Sequence, residues 1–340
     1  MKQKPIVLNR DRDVTLTPYL TSTDKTTAIL ICPGGGYQNC DESEGKPVAE
    51  AFNALGYHAF ILRYSVGKHH TWPNPLEDFD GAMDYLTNHA AEYKIDPAHI
   101  LAAGFSAGGH VVTAAASAAK HKPFAVIVCY GLVSRETLAY CAPDAPDSSE
   151  LVNLDTCPMF LASSRTDWIV SIENTTKLMD ALQKNYIDYE AHIYGYALHG
   201  FSVGAGSGAV GPLFCSRVGN WVKDSMEWAD ELISGRYRSV RECAAYNDAY
   251  GSVLSTRNSC KLINSIPGAL KVLKFKFPVQ YLLYQGAQKK IGTFMDTVTL
   301  RNLFDLCKIS EKTIAKMDEA LSVFTIERCE KYFSPSQPPS

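Results

Sequence analysis

Gly104-Phe105-Ser106-Ala107-Gly108 sets a serine between two glycines, after the apolar run HILAAGF (99–105) and before an alanine-rich stretch reaching about residue 120. A serine hydroxyl is a poor nucleophile until a base takes its proton, so it must stand clear of the backbone and face that base. G-x-S-x-G achieves this on a sharp turn between a buried strand and a helix, where the glycines leave room for the turn and lift Oγ above the sheet edge. Gly109 and the alanines after it would let the helix lie close to the strands. Ser106 is therefore the candidate nucleophile toward an acyl carbonyl. The competing reading is a glycine–serine turn without chemistry.

A carbonyl under attack becomes an oxyanion, and backbone N–H groups must already point at it. The amide of Ala107, at the helix start, is one candidate donor. Pro33-Gly34-Gly35-Gly36-Tyr37 follows an early apolar run and supplies the second, with the amides of Gly35 and Gly36 as donors and Tyr37 shaping an acyl pocket. Successive glycines permit backbone angles and close approaches that side chains forbid. A phosphate-binding loop is the alternative, but the segment fits neither the dinucleotide fingerprint nor GxxxxGK[ST].

Nine histidines compete for the base. In serine sites on strand–turn–helix elbows the acid follows the serine and the histidine comes last. Of His110, His121, His192 and His199, the first falls one turn into a helix and reads as a packed structural residue. The second lies in the basic turn Lys120-His121-Lys122, and the third within a strand. His199, in ALHGF after the last strand, is the candidate base. Asp167 in SSRTDWIV is the candidate acid, 32 residues earlier, with Glu173 as runner-up on the following helix. A buried carboxylate there would fix the imidazole tautomer and stabilise its protonated form. Trp168 is as good a pocket wall as a core residue. Trp72, Glu136 and Tyr140 are candidate substrate contacts, against a plain surface or packing role for each.

These residues need a scaffold that gathers them. Strand signals at 27–32, 57–64, 99–105, 124–131, 157–167 and 189–195 alternate with helical ones at 44–55, 75–94, 107–120, 171–184 and 212–234. Residues 14–20 alternate and then reach a proline, as an edge strand would. Near-continuous apolar strands alternating with helices predict an α/β fold, a mostly parallel sheet with helices on both faces. Right-handed crossovers then place the strand-to-helix loops along one sheet edge. Residues 132–156 are irregular and long enough to cover a pocket, and the glycine-rich run 204–211 reads as a loop.

The chain has 340 residues, 46% of them hydrophobic, and a formal net charge of -3 with both signs mixed along it. That balance gives no nucleic-acid or anionic-membrane signature. No apolar stretch has the length of a signal core or a membrane span, so a cytoplasmic protein is the expectation. Ten cysteines form no CxxC and no zinc spacing, so they are read as reduced and mostly buried; no metal or cofactor is expected, because the serine, acid, base and backbone donors would supply the whole acyl-transfer chemistry. Residues 1–235 read as the catalytic domain. Residues 236–340 read as a mainly helical C-terminal extension, with helices at 296–307 and 310–333, the latter starting at Ser310 with Thr313, and a disordered SPSQPPS end.

CPGGGY, WPNPLEDFDGAMDYL, GFSAGGH, SSRTDWIV and LHGF together resemble the α/β-hydrolase esterases related to acetylxylan esterases and hormone-sensitive-lipase-type carboxylesterases, over roughly residues 14–234. The early loop of that group is often HGGG, and Pro33 precedes the glycines here as in its acetylxylan-esterase-like members. The resemblance implies Ser106 as nucleophile, Asp167 as acid and His199 as base, with oxyanion amides at Gly35–Gly36 and Ala107. It implies removal of acetyl or other short acyl groups from small or carbohydrate esters, without a cofactor. Trp168 departs from the residue that relatives commonly carry after the acid. An amidase or aminopeptidase with the same triad, and a non-catalytic binding protein on this fold, are the competing functions. Dimerisation and partial lid formation are both open to the C-terminal extension.

Overall fold

A computed structural model describes residues 4–204, 216–237, 239–240 and 243–326. The chain divides into two compact units, residues 1–237 and 238–340. Most of the glycine-rich run 204–211, the first residues of the 212–234 segment, the last part of the 310–333 segment and the SPSQPPS end lie outside the described residues.

In the first unit, β1 (Ile6–Asn9), β2 (Val14–Tyr19), β3 (Ala28–Cys32), α1 (Lys46–Ala54), β4 (His58–Arg63), α2 (Asn74–Asn88) and α3 (Ala90–Tyr93) come first. They are followed by β5 (Ile100–Phe105), α4 (Ala107–Ala118), β6 (Val126–Cys129), α5 (Arg135–Leu138), β7 (Met159–Ser164), α6 (Glu173–Lys184), β8 (Tyr189–Tyr194) and α7 (Trp221–Ile233). Among the described residues the strands form one eight-stranded sheet in the order β1-β2-β4-β3-β5-β6-β7-β8. All neighbours from β4 to β8 run parallel, and β1 and β2 are antiparallel additions.

The apolar runs are buried on both faces, and the pleat sorts them by period two. Ala28, Leu30 and Cys32 of β3 face one core with Val111, Val112 and Ala115 of α4 and Phe79 and Met83 of α2. Ile29 and Ile31 face the other, against Phe52 of α1 and Trp221, Met226 and Trp228 of α7. Residues 14–20 are not an edge strand. Val14 and Leu16 are fully buried, and β2 pairs with β4 on one side and with β1, at the sheet margin, on the other. The short β1, with a register shift between Val7 and Asn9, carried too little alternation to be read from sequence. The 75–94 segment is two helices, α2 and α3, broken at His89.

Crossover packing is tightest where the site forms. A Cβ at Gly108 would lie 1.9 Å from the Cys32 carbonyl oxygen, and one at Gly109 would lie 2.6 Å from Gly131 Cα. Both obstacles are backbone. Gly108→Ala is therefore expected to lower folding stability by about 3 kcal/mol, read as a lower urea midpoint at unchanged slope; an unaltered midpoint would contradict this close approach.

The second unit has its own core of Leu254, Ile263, Leu273, Tyr284, Leu300, Phe304, Ile314, Met317 and Leu321. Its helices are α8 (Ala244–Tyr250), α9 (Cys260–Ser265), α10 (Ala269–Lys276), α11 (Pro278–Ile291), α12 (Leu300–Leu306) and α13 (Glu311–Leu321). Thr299 and Asn302 form a capping box at α12, and Ser310 caps α13 through the Thr313 amide. Among the described residues of the chain no helix is long and apolar enough to cross a membrane.

Candidate active site

Ser106 occupies the turn between β5 and α4 with φ 49° and ψ -115°. A non-glycine residue pays about 1–3 kcal/mol to hold such a conformation. The surrounding close contacts impose it: a Cβ at Gly104 would meet the Gly108 carbonyl oxygen at 2.3 Å. The result is that Ser106 stands at the end of β5, the residue as a whole 7% exposed.

Two loops at the same sheet edge meet it. His199 follows β8, and its Nε2 lies 2.9 Å from Ser106 Oγ. Its Nδ1 lies 2.7 Å from Asp167 Oδ2. Asp167 sits three residues past β7, its side chain almost fully buried. Its other oxygen, Oδ1, accepts hydrogen bonds from the Ile169 and Val170 amides at 3.0 and 2.9 Å. The carboxylate is thus fixed by its own loop before it touches the histidine. The Tyr130 ring packs edge-on against the imidazole at 5.0 Å.

A cavity of about 500 Å³ opens beside Ser106 and His199, walled in part by Gly35, Gly36, Glu44, Tyr140, Ile169 and Val170. Gly35 and Gly36 have φ of 126° and 59°, the left-handed region that side chains disfavour. Among the described residues no backbone carbonyl takes either amide. Ala107 is the first residue of α4, where helical N–H groups have no partner within the helix. The residues expected to make an oxyanion site are thus gathered around Ser106.

The five candidate pocket residues fare differently. Tyr140, 92% exposed, lies on the cavity wall. Tyr37 lies beneath it: the side chain is fully buried, and Oη lies 2.6 Å from His110 Nδ1. Trp72 packs edge-on against His110 at 5.3 Å rather than lining the cavity. Glu136 projects into solvent from α5. Trp168 is 79% exposed, because the acid loop turns Val170 inward and leaves Trp168 facing out.

His110 is a packed structural residue. Its Nε2 lies 2.8 Å from the Pro146 carbonyl, to which it donates, so Nδ1 accepts the Tyr37 hydroxyl. Burial pushes this imidazole down to about 4, against partial opposition from the Pro146 carbonyl and Asp147. Unfolded, the same group titrates at 6.5. As pH falls from 6.5 toward 4 the unfolded chain gains a proton that the fold refuses, so stability declines through that window and levels off below it. His110→Gln is expected to flatten stability against pH between 6.5 and 4, measured by denaturant midpoints at each pH; an equally steep decline in the variant would contradict this. His121 lies near the surface beside Asp84, and His192 in β8 pairs with Glu190.

Glu44 and Tyr130 were not anticipated from sequence. Glu44 is 4% exposed; its Oε2 accepts the Gly34 amide at 2.6 Å and its Oε1 accepts the Tyr130 hydroxyl at 2.8 Å. Burial pushes this carboxyl above the usual value, while those two hydrogen bonds and the nearby His199 pull it back. Glu44 reads as solvated in the polar string DESEGK, and only the fold turns it inward. Among the described residues no group of three or more metal-ligating side chains is assembled, and eight cysteines are unpaired.

Comparison with known proteins places this arrangement. The family described as BD-FAE matches residues 14–134. The chain is similar to MGS-M1, an α/β hydrolase enzyme from a Medee basin deep-sea metagenome library, at 33% identity and TM-score 0.63, over 68% of this chain and 97% of that one. It is similar to the acetyl ester-xyloside bifunctional hydrolase of Caldicellulosiruptor lactoaceticus at 25% identity and TM-score 0.60, over 67% of this chain and 96% of that one. Endo-1,4-beta-xylanase B of Butyrivibrio fibrisolvens is 29% identical over 224 residues, 55% of this chain and 34% of the relative. This chain spans between 22% and 34% of the length of the curated relatives it matches. Its sheet order, its elbow serine and its likeness to MGS-M1 at that identity and coverage agree: the chain belongs to the α/β-hydrolase family, within its carboxylesterase branch.

Proposed function

We propose that this chain is a serine carboxylic-ester hydrolase that removes acetyl or other short acyl groups from small or carbohydrate esters. The observation that carries the reading is the unbroken hydrogen-bond chain Ser106 Oγ–His199–Asp167 opening onto a cavity beside the Gly35 and Gly36 backbone. His199 takes the Ser106 proton as Oγ attacks the ester carbonyl. The oxyanion is held by the amides of Gly35, Gly36 and Ala107. Collapse expels the alcohol, protonated by His199, and leaves an acyl-serine that water then attacks with His199 again as base. Cofactor chemistry is not required for any of these steps.

Tyr140, exposed on the wall, and the neighbouring Asp41 and Thr137 give the alcohol side both an aromatic face and polar groups, which suits a sugar. The bifunctional hydrolase of Caldicellulosiruptor lactoaceticus acts, by its description, on an acetyl ester. The described cysteines are unpaired and mostly buried, which fits a reducing compartment, and we place the protein in the cytoplasm. The division of labour follows the two compact units: residues 1–235 carry the chemistry, and the remainder is an extension.

The test is a substrate panel on the full chain: p-nitrophenyl acetate, butyrate and octanoate, acetylated xylose and an amino-acid anilide. Turnover that falls with acyl length and includes acetate release from the sugar supports the proposal. Anilide turnover matching the acetate ester would replace it with an amidase. No turnover of any member would favour a binding protein.

A further inference from the structure

We infer that Glu44 is a positioning residue that ties the oxyanion loop to the loop of the base; this rests on the serine-hydrolase reading above. One carboxylate oxygen holds the amide of Gly34, the residue directly before the Gly35–Gly36 pair, at 2.6 Å. The other holds the Tyr130 hydroxyl at 2.8 Å. Tyr130 Oη in turn accepts the amide of Ser202, three residues after His199, at 3.1 Å. The Ser202 hydroxyl closes the circuit by donating to the carbonyl of Ser43, next to Glu44, at 2.7 Å. Trp221 Nε1 pins the Ser202 carbonyl at 2.8 Å. A single buried side chain therefore sets the spacing between the amides that receive the oxyanion and the histidine that moves the proton.

The approach is close. A Cβ at Gly34 would lie 2.7 Å from Glu44 Oε2 and 2.7 Å from Ser106 Cβ, so the carboxylate stands one glycine away from the nucleophile. Both of its oxygens receive donors, so the buried carboxylate is held at two points. The titratable groups around it are Asp41 on its own segment, Cys129 and Tyr130 at the end of β6, Tyr64 after β4, and His199 with its partner Asp167.

Substitution can separate the two arms. Glu44→Gln keeps the shape and the acceptor for the Gly34 amide, but sets an NH₂ donor against the Tyr130 hydroxyl, whose own hydrogen then loses its acceptor. Glu44→Asp keeps the acceptors and shortens the reach of both arms. On p-nitrophenyl acetate both variants are expected to lower kcat about tenfold per active site, with sites counted by the nitrophenol burst, and to leave KM within about threefold of the parent.

Wild-type kcat per active site in both variants would overturn the role, and so would a loss carried by KM alone. Melting temperatures of both variants close to the parent are part of the expected result, since a folding defect lowers the burst amplitude and not the turnover of each active site. Ser106→Ala separates the two readings. If it stays active, the serine mechanism fails; if it is silent and both Glu44 variants keep the parent's kcat per active site, the Glu44 inference alone fails.

Discussion

Ser106→Ala is expected to lower kcat/KM on a short-acyl ester by about 10⁵-fold or more while KM changes by no more than about threefold. The asymmetry follows from what the oxygen does. In the proposed mechanism Oγ forms the bond to the acyl carbon, and among the described residues no other hydroxyl or thiol hydrogen-bonds His199. The wall residues Tyr140, Ile169 and Val170 and the glycine amides still hold the substrate. Alanine retains the Cβ that packs against Gly34, and it inherits the same φ of 49°, so the fold is kept. Residual turnover should lie about 10³–10⁴-fold above water, from oxyanion donors and binding alone. The measurement is steady-state kinetics with a pre-steady-state check, in which the burst of nitrophenol from acyl-serine formation vanishes in the variant. Activity within tenfold of the parent would place the nucleophile elsewhere.

The elements around the candidate site were readable because their local chemistry and their global placement agree. G-x-S-x-G needs a strand before it and a helix after it, and HILAAGF and the alanine-rich run supply both. The parallel strands β3 to β7 are buried on both faces and mostly apolar, so each stands out as a short continuous run. The acid and base needed one more step, the order along the chain, which placed Asp167 and His199 on loops at the same edge. Their convergence within hydrogen-bonding distance is a property of the sheet order, which no local pattern expresses.

What escaped did so for physical reasons. Helices α9, α10 and α11 bury only part of their surface: Phe275, Val279 and Leu282 are exposed, so the apolar period that marks a helix is blurred. Tyr37 follows the glycines and seemed aimed at the acyl group, yet a φ of 60° turns it into the core toward His110. Glu136 and Trp168 lie close in sequence to functional loops but face solvent, since a side chain's direction in an irregular segment has no period to read. Glu44 is the converse case, a charged residue in a polar string that the fold buries because two donors, Gly34 and Tyr130, await it.

Asp167→Asn is expected to lower kcat by about 10⁴-fold with little change in KM, for a reason the hydrogen bonds specify. In the parent, one carboxylate oxygen takes the amides of Ile169 and Val170 and the other takes His199 Nδ1–H. An asparagine at this position must turn its carbonyl oxygen toward the two backbone amides, because its NH₂ group would meet two donors there. The NH₂ then faces His199 Nδ1, which can only accept from it. The imidazole hydrogen moves to Nε2, and the atom 2.9 Å from Ser106 Oγ becomes a donor where a base is required. The nucleophile is present, the geometry is retained, and the proton has nowhere to go. Raising the pH should restore part of the rate, as hydroxide takes over the proton transfer that His199 no longer performs. Asp167→Ala, which leaves the imidazole free to choose its tautomer, should be less impaired at neutral pH than the isosteric asparagine. An asparagine variant with more activity than the alanine one would show that tautomer control is not the work Asp167 does.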